Sequence, residues 1–267
     1  MRPLNLIFIV ITLAVLGIGG WYGYTKFFAY KQVAGVSTRE EVKPARGIIV
    51  PHHGLAGELI TSAYERVSDL NPKYVVVMGP NHWQPDKYHL VSAMEIEEYS
   101  FAEEKIQSLQ EKLPFLTLDQ ELIKDEHSIT IQLPYIDHYF PEAEVIPLVW
   151  SPVFDKQEMS NLVNELVRQM PEETLFVLSM DFAHEQMAEE GLANNQETIA
   201  AINSFDYEKI LGFRDEHIDA PVALAAWLRI MGSLGAKEWE TWASSHGSLL
   251  TGQPTLQGTS YVTGELR

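Results

Sequence analysis

The sequence of 267 residues contains no cysteine. That absence removes disulfides, thiolate metal sites and a cysteine nucleophile from consideration, and is compatible with an oxidising or a reducing compartment. Positive charge is scarce. Nineteen Lys and Arg face 37 Asp and Glu, a formal charge of −18. Phosphate backbones are bound largely through Lys and Arg, so nucleic acid is not an expected partner. Internal repeats and low-complexity tracts are also lacking. What is abundant is apolar surface: 46% hydrophobic residues, 10% aromatic, enough for a packed core in one large domain.

The start of the chain differs from the rest. After Arg2, an apolar run extends from about Leu4 to Tyr24. At 1.5 Å per residue it reaches across a hydrocarbon core of about 30 Å. Trp21, Tyr22 and Tyr24 stand where interfacial aromatics are expected, followed by Lys26. Residues 1–31 are therefore expected to be a single transmembrane anchor, with the bulk of the chain outside the cytoplasm. A cleaved signal peptide is the rival, but no small-x-small site follows a short apolar core. Residues 32–45 are polar and aperiodic and read as a linker.

From residue 46 short apolar runs alternate with amphipathic stretches. Strands are expected at 46–50, 73–79, 88–93, 144–150 and 174–180, with strand-like tail segments in "EWETWAS" and "TSYVTG". Helices are expected at 55–70, 101–113, 155–170, 194–211 and 221–233. The order predicts a single α/β domain over 46–267, with a largely parallel or mixed central sheet flanked by helices.

Three apolar strands run into histidines. "IIVPHHG" delivers His52 and His53, "VVVMGPNHW" delivers His82, and "LSMDFAH" delivers Asp181 and His184. A lone loop histidine is ordinarily a cap or a surface residue. The carboxyl ends of neighbouring strands, however, share one crevice where ligands bind, and the pattern recurs three times. Imidazole is the commonest biological metal ligand, and Asp181 could orient a ring or ligate directly. "DEHSITIQLPYI" adds Glu126 and His127, although Asp125, Glu126 and Ser128 also read as ordinary helix-start residues. "RDEHIDAPVALAAWL" adds His217 and Asp219 ahead of Pro221, where Asp219 is equally readable as a helix cap. His89, His138 and His246 lack such a setting and are assigned to structure or solvent.

These motifs, in this order, resemble those of Memo-like proteins (the AmmeMemoRadiSam system protein B type), close to PHAG, GP(S/N)H, EHS-I-x-x-QLP and SSD-x-x-H. The resemblance spans about residues 46–264. It implies a fold similar to class III extradiol dioxygenases, iron or copper binding with redox chemistry, and a functional link to radical-SAM proteins. Carried over by position, it implies metal ligands at His52 and His82. A third falls at His217, four residues before Pro221, where the family has cysteine. His53 replaces the usual alanine, and Met180 the second serine of a pair that keeps Ser179.

Such a set, with a carboxylate and open positions, suits Fe(II), Cu(II) or Zn(II). His127 and His184 are then acid–base candidates, with Asp181 orienting an imidazole. Three functions are open: a metal-dependent redox enzyme on a small-molecule substrate, a non-catalytic metal-binding or scaffold protein, and a zinc-type hydrolase. If His217 points away from His52 and His82, Asp219 is the candidate left in that segment. His53 should face away from the ligand position of His52, since neighbouring residues at an extended strand end point to opposite sides.

Overall fold

The computed structural model describes residues 47–267 except residue 98. They fall within one compact unit. The strands are β1 (Gly47–Val50), β2 (Tyr74–Pro80), β3 (Leu90–Ser92), β4 (Glu95–Ile96), β5 (Tyr99–Ser100), β6 (Leu116–Leu118), β7 (Glu144–Trp150), β8 (Thr174–Ser179), β9 (Trp239–His246) and β10 (Ser260–Leu266). Eight of them form one sheet in the order β6-β3-β7-β2-β8-β1-β10-β9, and β4 and β5 pair separately.

The centre of the sheet, β7-β2-β8-β1, is parallel throughout. Its strands are continuous apolar runs because helices cover both faces and no side chain can be left to water. Every residue of β1, β2 and β8 is buried. The flanks are antiparallel where β3 meets β7, β10 meets β1 and β9 meets β10. The α/β expectation with a mixed sheet thus describes the domain.

One part of the fold expectation is corrected. No helix among the described residues is long and apolar enough to cross a membrane. The expected anchor, 1–31, and linker, 32–45, lie outside the described residues.

Helices at Gly57–Val67, Glu103–Lys112, Lys156–Gln169 and Pro221–Ser233 match their sequence periods. The helix expected at 194–211 is instead two, Ala188–Ser204 and Tyr207–Gly212. The break is Phe205, held at φ 52°, a left-handed cap that ends the first helix. Asp206 then accepts from the Lys209 N–H and starts the second.

Helix Pro221–Ser233 is apolar almost all round, with Ala223, Leu224, Ala225, Ala226, Trp227, Leu228, Ile230 and Met231 buried. Its alanines allow close approach to the sheet, and the Trp227 indole donates to the Phe176 carbonyl of β8 at 3.2 Å. Pro221 lies in its first turn, where a missing N–H costs nothing. The helix therefore starts at a fixed point beside the carboxyl ends of β2 and β8, and Asp219 is set immediately ahead of it.

Gly79 marks how tightly this end is packed. A Cβ there would lie 2.5 Å from Ser128 Oγ and 2.7 Å from Ser128 Cβ. Ser128 is short and fully buried, so it cannot swing aside. Gly79→Ala is expected to destabilise the protein by about 1–3 kcal/mol. Denaturant unfolding would register this as a lower midpoint at an unchanged slope, and an unshifted midpoint would mean that Ser128 has room to yield.

Candidate functional site

Parallel strands bring their carboxyl ends to one edge of the sheet. β1 runs into Pro51-His52, β2 runs into Asn81-His82, and β8, lying between them, runs on to Asp181 and His184. The loop after β8 pairs with the segment ahead of helix Pro221–Ser233 through a bridge from Phe182 to Ile218. The Asp219 N–H donates to the Asp181 carbonyl at 3.3 Å. In return the Asp181 N–H is 3.2 Å from Asp219 Oδ1 and 3.3 Å from Oδ2. This reciprocal pairing turns the Asp219 carboxylate toward the histidines.

Asp219 Oδ2 is the hub. It lies 3.0 Å from His52 Nε2, 3.7 Å from His82 Nε2 and 3.9 Å from His184 Nε2. Only the first is a hydrogen-bond length. Asp181 supports the arrangement by accepting the His52 backbone N–H at 3.1 Å, its other oxygen 3.9 Å from His52 Nε2.

His82 is held from behind by Glu126, a carboxylate of 0% exposure. Glu126 accepts from His82 Nδ1 at 2.7 Å, from the His82 backbone N–H at 2.8 Å and from the Ser128 N–H at 3.0 Å. That fixes the tautomer and leaves Nε2 facing the cluster, the arrangement usual for a metal-ligating histidine. His127 closes the group, stacked on His82 at 4.3 Å between ring centroids and edge-on to His52 at 4.9 Å.

The charges are strongly shifted. Burial opposes protonation of His52, but Asp219 and Asp181 outweigh it and raise its pKa. Burial likewise opposes protonation of His82, and the Asp219 and Glu126 carboxylates push it up to about 10. His127 goes the other way, down to about 4, through burial and the neighbouring charges of His82 and His52. Asp219 is held well below the usual carboxylate range, burial being overcome by His52, His82 and His184. Asp181 is raised, chiefly by burial. Two buried carboxylates so close to imidazoles differ in proton affinity because only Asp219 sits at the convergence of the rings.

The donor chemistry fits a cation. His52, His82 and His127 offer ligand atoms all within 4.8 Å of one another, and so do His52, Asp181 and Asp219. His184 Nε2 and His52 Nδ1 are buried without a hydrogen-bond partner. The described residues therefore contain a His/Asp cluster able to hold a metal ion.

His217 is not brought to this cluster. It ends the turn begun at Arg214, donating its backbone N–H to the Arg214 carbonyl at 2.7 Å. Its ring stacks flat on Phe213 at 4.3 Å, and Nε2 meets Glu197 at 3.1 Å. The residue of that segment in the cluster is Asp219, two positions on. His53 is exposed, and its Nδ1 accepts from the Leu55 N–H to cap a short 3-10 turn, Gly54–Ala56. His89 pairs with Glu158, and His246 is buried against Ser248.

Glu126 and Gln132 carry more than their sequence signals suggested. Gln132 is fully buried. It donates from Nε2 to the Pro51 carbonyl and to Ser179 Oγ, both at 2.9 Å, and accepts from Tyr64 Oη at 3.2 Å. The available signal was the polar Gln132 inside the mostly apolar "ITIQLPYI".

A cavity of about 190 Å³ opens beside the cluster, with His82, His184 and Asp219 in its wall. A mixed α/β sheet with imidazoles and carboxylates converging at the ends of its parallel strands defines an α/β protein whose candidate ligand site lies in the crevice usual for that class. The comparisons specify it further. The family model described as Memo-like protein matches residues 19–264, and the chain belongs to that family. A MEMO1 family protein of Caldivirga maquilingensis is 25% identical over 218 residues, 76% of this chain and 77% of its own. A MEMO1 family protein of Aquifex aeolicus is 28% identical over 187 residues, 67% and 68% of the two chains. Among solved structures, an uncharacterized protein of Escherichia coli K12, JW3007, shares the fold. The TM-score is 0.56 at 12% identity, over 83% of this chain and 99% of that one.

Glu126→Ala would leave three donors around a buried void. It is expected to cost on the order of 3–5 kcal/mol, while Glu126→Gln, which keeps one acceptor, costs less. Chemical unfolding of both variants checks the order; equal stability of Glu126→Ala and the parent would remove Glu126 from its supporting role.

Proposed function

We propose that the chain is a metal-dependent enzyme in which His52, His82 and Asp219 hold one divalent cation and the adjoining cavity receives a small-molecule substrate. The observation that carries this reading is the convergence of three imidazole nitrogens on Asp219 Oδ2 at 3.0, 3.7 and 3.9 Å. Two histidines and one carboxylate with open positions are the donor set of non-haem iron oxygenases. The likeness of the sequence motifs to a group with the fold of class III extradiol dioxygenases points the same way. A bound iron or copper ion would supply redox chemistry at this centre, and a zinc ion Lewis acidity.

The protein's own part is positioning and proton movement. Glu126 keeps the His82 proton on Nδ1 and so presents Nε2 as a ligand atom. Asp181 fixes the backbone of His52, which sets the reach of its ring. His184, at the cavity wall with an unpartnered Nε2, takes or returns a proton on the substrate side. His127, half-buried on the face of His82, does so on the other. Geometry of this kind is what general acid–base catalysis requires before proton affinity is considered.

Elemental analysis of the anaerobically purified full-length chain tests the reading. About one divalent ion per chain is expected, strongly reduced in His52→Ala and Asp219→Asn and retained in His217→Ala and His53→Ala. Glu126→Gln should weaken metal affinity by about 10–100-fold. Metal retained in His52→Ala, or lost equally in His217→Ala, would refute the ligand set. Oxygen uptake dependent on the bound metal would place the enzyme among redox catalysts, and its absence with ester or amide cleavage among hydrolases.

A further inference from the structure

A second cavity, of about 470 Å³, lies in a groove bordered by helices Lys156–Gln169, Tyr207–Gly212 and Pro221–Ser233. Its wall includes Arg229, ten residues beyond Asp219, about 15 Å along a helix. Of the five arginines among the described residues, Arg168 and Arg267 pair with carboxylates, Arg214 donates to backbone carbonyls and Arg66 is exposed. Arg229 is half-buried, and no hydrogen bond or ion pair engages its guanidinium. Nε is enclosed, whereas Nη1 and Nη2 are not, so these are the nitrogens open to the groove. The guanidinium carbon lies 5.1 Å from the centre of the Tyr207 ring, a cation–π contact that steadies the fork.

The surrounding wall supplies neutral donors. The side chains of Asn164, Tyr207 and Ser233 line the groove and make no hydrogen bond among the described residues. A Cβ on Gly232 would lie 3.5 Å from Tyr207 Oη, which sets that hydroxyl over bare backbone in the same wall. No carboxylate lines the groove. Glu208, next to Tyr207 in the chain, is taken up by Lys156 at 2.8 and 2.9 Å. The amino-terminal half of helix Lys156–Gln169 and the last turn of Pro221–Ser233 both border the groove, so their dipoles offset and the guanidinium sets the local charge. In a chain of formal charge −18, this arginine has none of the carboxylates it would most readily meet. Its fork matches a planar carboxylate with two parallel hydrogen bonds. A phosphate dianion would leave one charge uncompensated against the negative field of the whole chain.

We propose that this groove is a binding site for a small, polar monocarboxylic acid, its carboxylate gripped by Arg229 Nη1 and Nη2 and its other polar atoms met by Tyr207, Asn164 and Ser233. Charges more than about 8 Å away are largely screened at physiological ionic strength, so the local guanidinium prevails over the acidity of the chain as a whole. The site does not involve the histidine cluster, and it stands or falls separately from the proposed function.

The test uses the full-length chain labelled with ¹⁵N at arginine and titrated with lactate (a polar monocarboxylate), lactamide (its neutral counterpart of the same shape) and inorganic phosphate. The Arg229 Nε–H is enclosed and so protected from exchange with water, and Arg229→Lys identifies its resonance by disappearance. Should Arg229→Lys fail to fold, the resonance is identified by its proximity to the Tyr207 ring. Lactate is expected to move it in a saturable way, and lactamide and phosphate to bind at least about tenfold more weakly. Asn164→Asp, at an exposed helix position, places a carboxylate in the wall with Arg229 intact and should raise the lactate Kd about tenfold. An Arg229 resonance indifferent to lactate, lactamide binding as tightly as lactate, or an unchanged lactate Kd in Asn164→Asp would each overturn the proposal. Phosphate binding as tightly as lactate would overturn the assignment to a monocarboxylate.

Discussion

One carboxylate oxygen, Asp219 Oδ2, faces three imidazole nitrogens and satisfies only one of them at hydrogen-bond length. The organisation of this edge of the molecule can be understood from that single shortfall. A buried carboxylate is tolerated when cationic partners surround it, and removing a partner leaves an uncompensated charge. Here the partners are rings whose charge is itself conditional on a proton. The cluster is therefore electrostatically consistent in two ways, with protons on its histidines or with a divalent cation replacing them. Glu126 and Asp181 belong to the same balance. Each grips a backbone N–H of one histidine-bearing loop as well as an imidazole environment, so charge and position are set together.

The sheet makes this balance possible. Parallel neighbours end at one edge, and β8 lies between β1 and β2, so His52, His82, Asp181 and His184 arrive from adjacent strands without any long excursion. Asp219 arrives from elsewhere, carried by a segment that bridges to the loop after β8 at Phe182 and Ile218. Helix Pro221–Ser233 anchors that segment through its buried apolar face. Burial energy in the core is thereby linked to the placement of one oxygen atom at the surface end of the sheet.

Much of this was legible in the sequence, for identifiable reasons. Strands rich in Val, Ile and Leu that stop at Pro-His or Pro-Asn-His announce both a buried parallel sheet and the edge where its loops gather, and the convergence of His52, His82 and His184 was readable on that ground. His217 was misleading because counting back from Pro221 locates a position along the chain and says nothing about the turn that occupies it. The turn from Arg214 sends the His217 ring onto Phe213, a contact between residues four apart that no motif spacing encodes. Asp219 was readable equally as a helix cap and as a site residue, because a carboxylate just ahead of a proline-started helix suits either role. Glu126 had the same disguise, and it does cap Ser128; its second task, holding His82, depends on a tertiary approach 44 residues distant in sequence. The expected helix at 194–211 failed at Phe205, where a left-handed residue other than glycine interrupts an otherwise acceptable helical pattern.

Gln132 shows what kind of instrument the site is. Its amide bonds simultaneously to the loop leaving β1, to the last residue of β8 and to Tyr64 on the helix that covers them. The three elements are thus cross-braced by a side chain that has no ligand atom to offer. A brace of this kind sets the spacing of the histidines without help from any ion, as a jig holds parts ahead of a weld. An ion of unsuitable size would have to strain the jig to be held, so discrimination among metals would be exercised by the scaffold, through an amide that need never touch the metal.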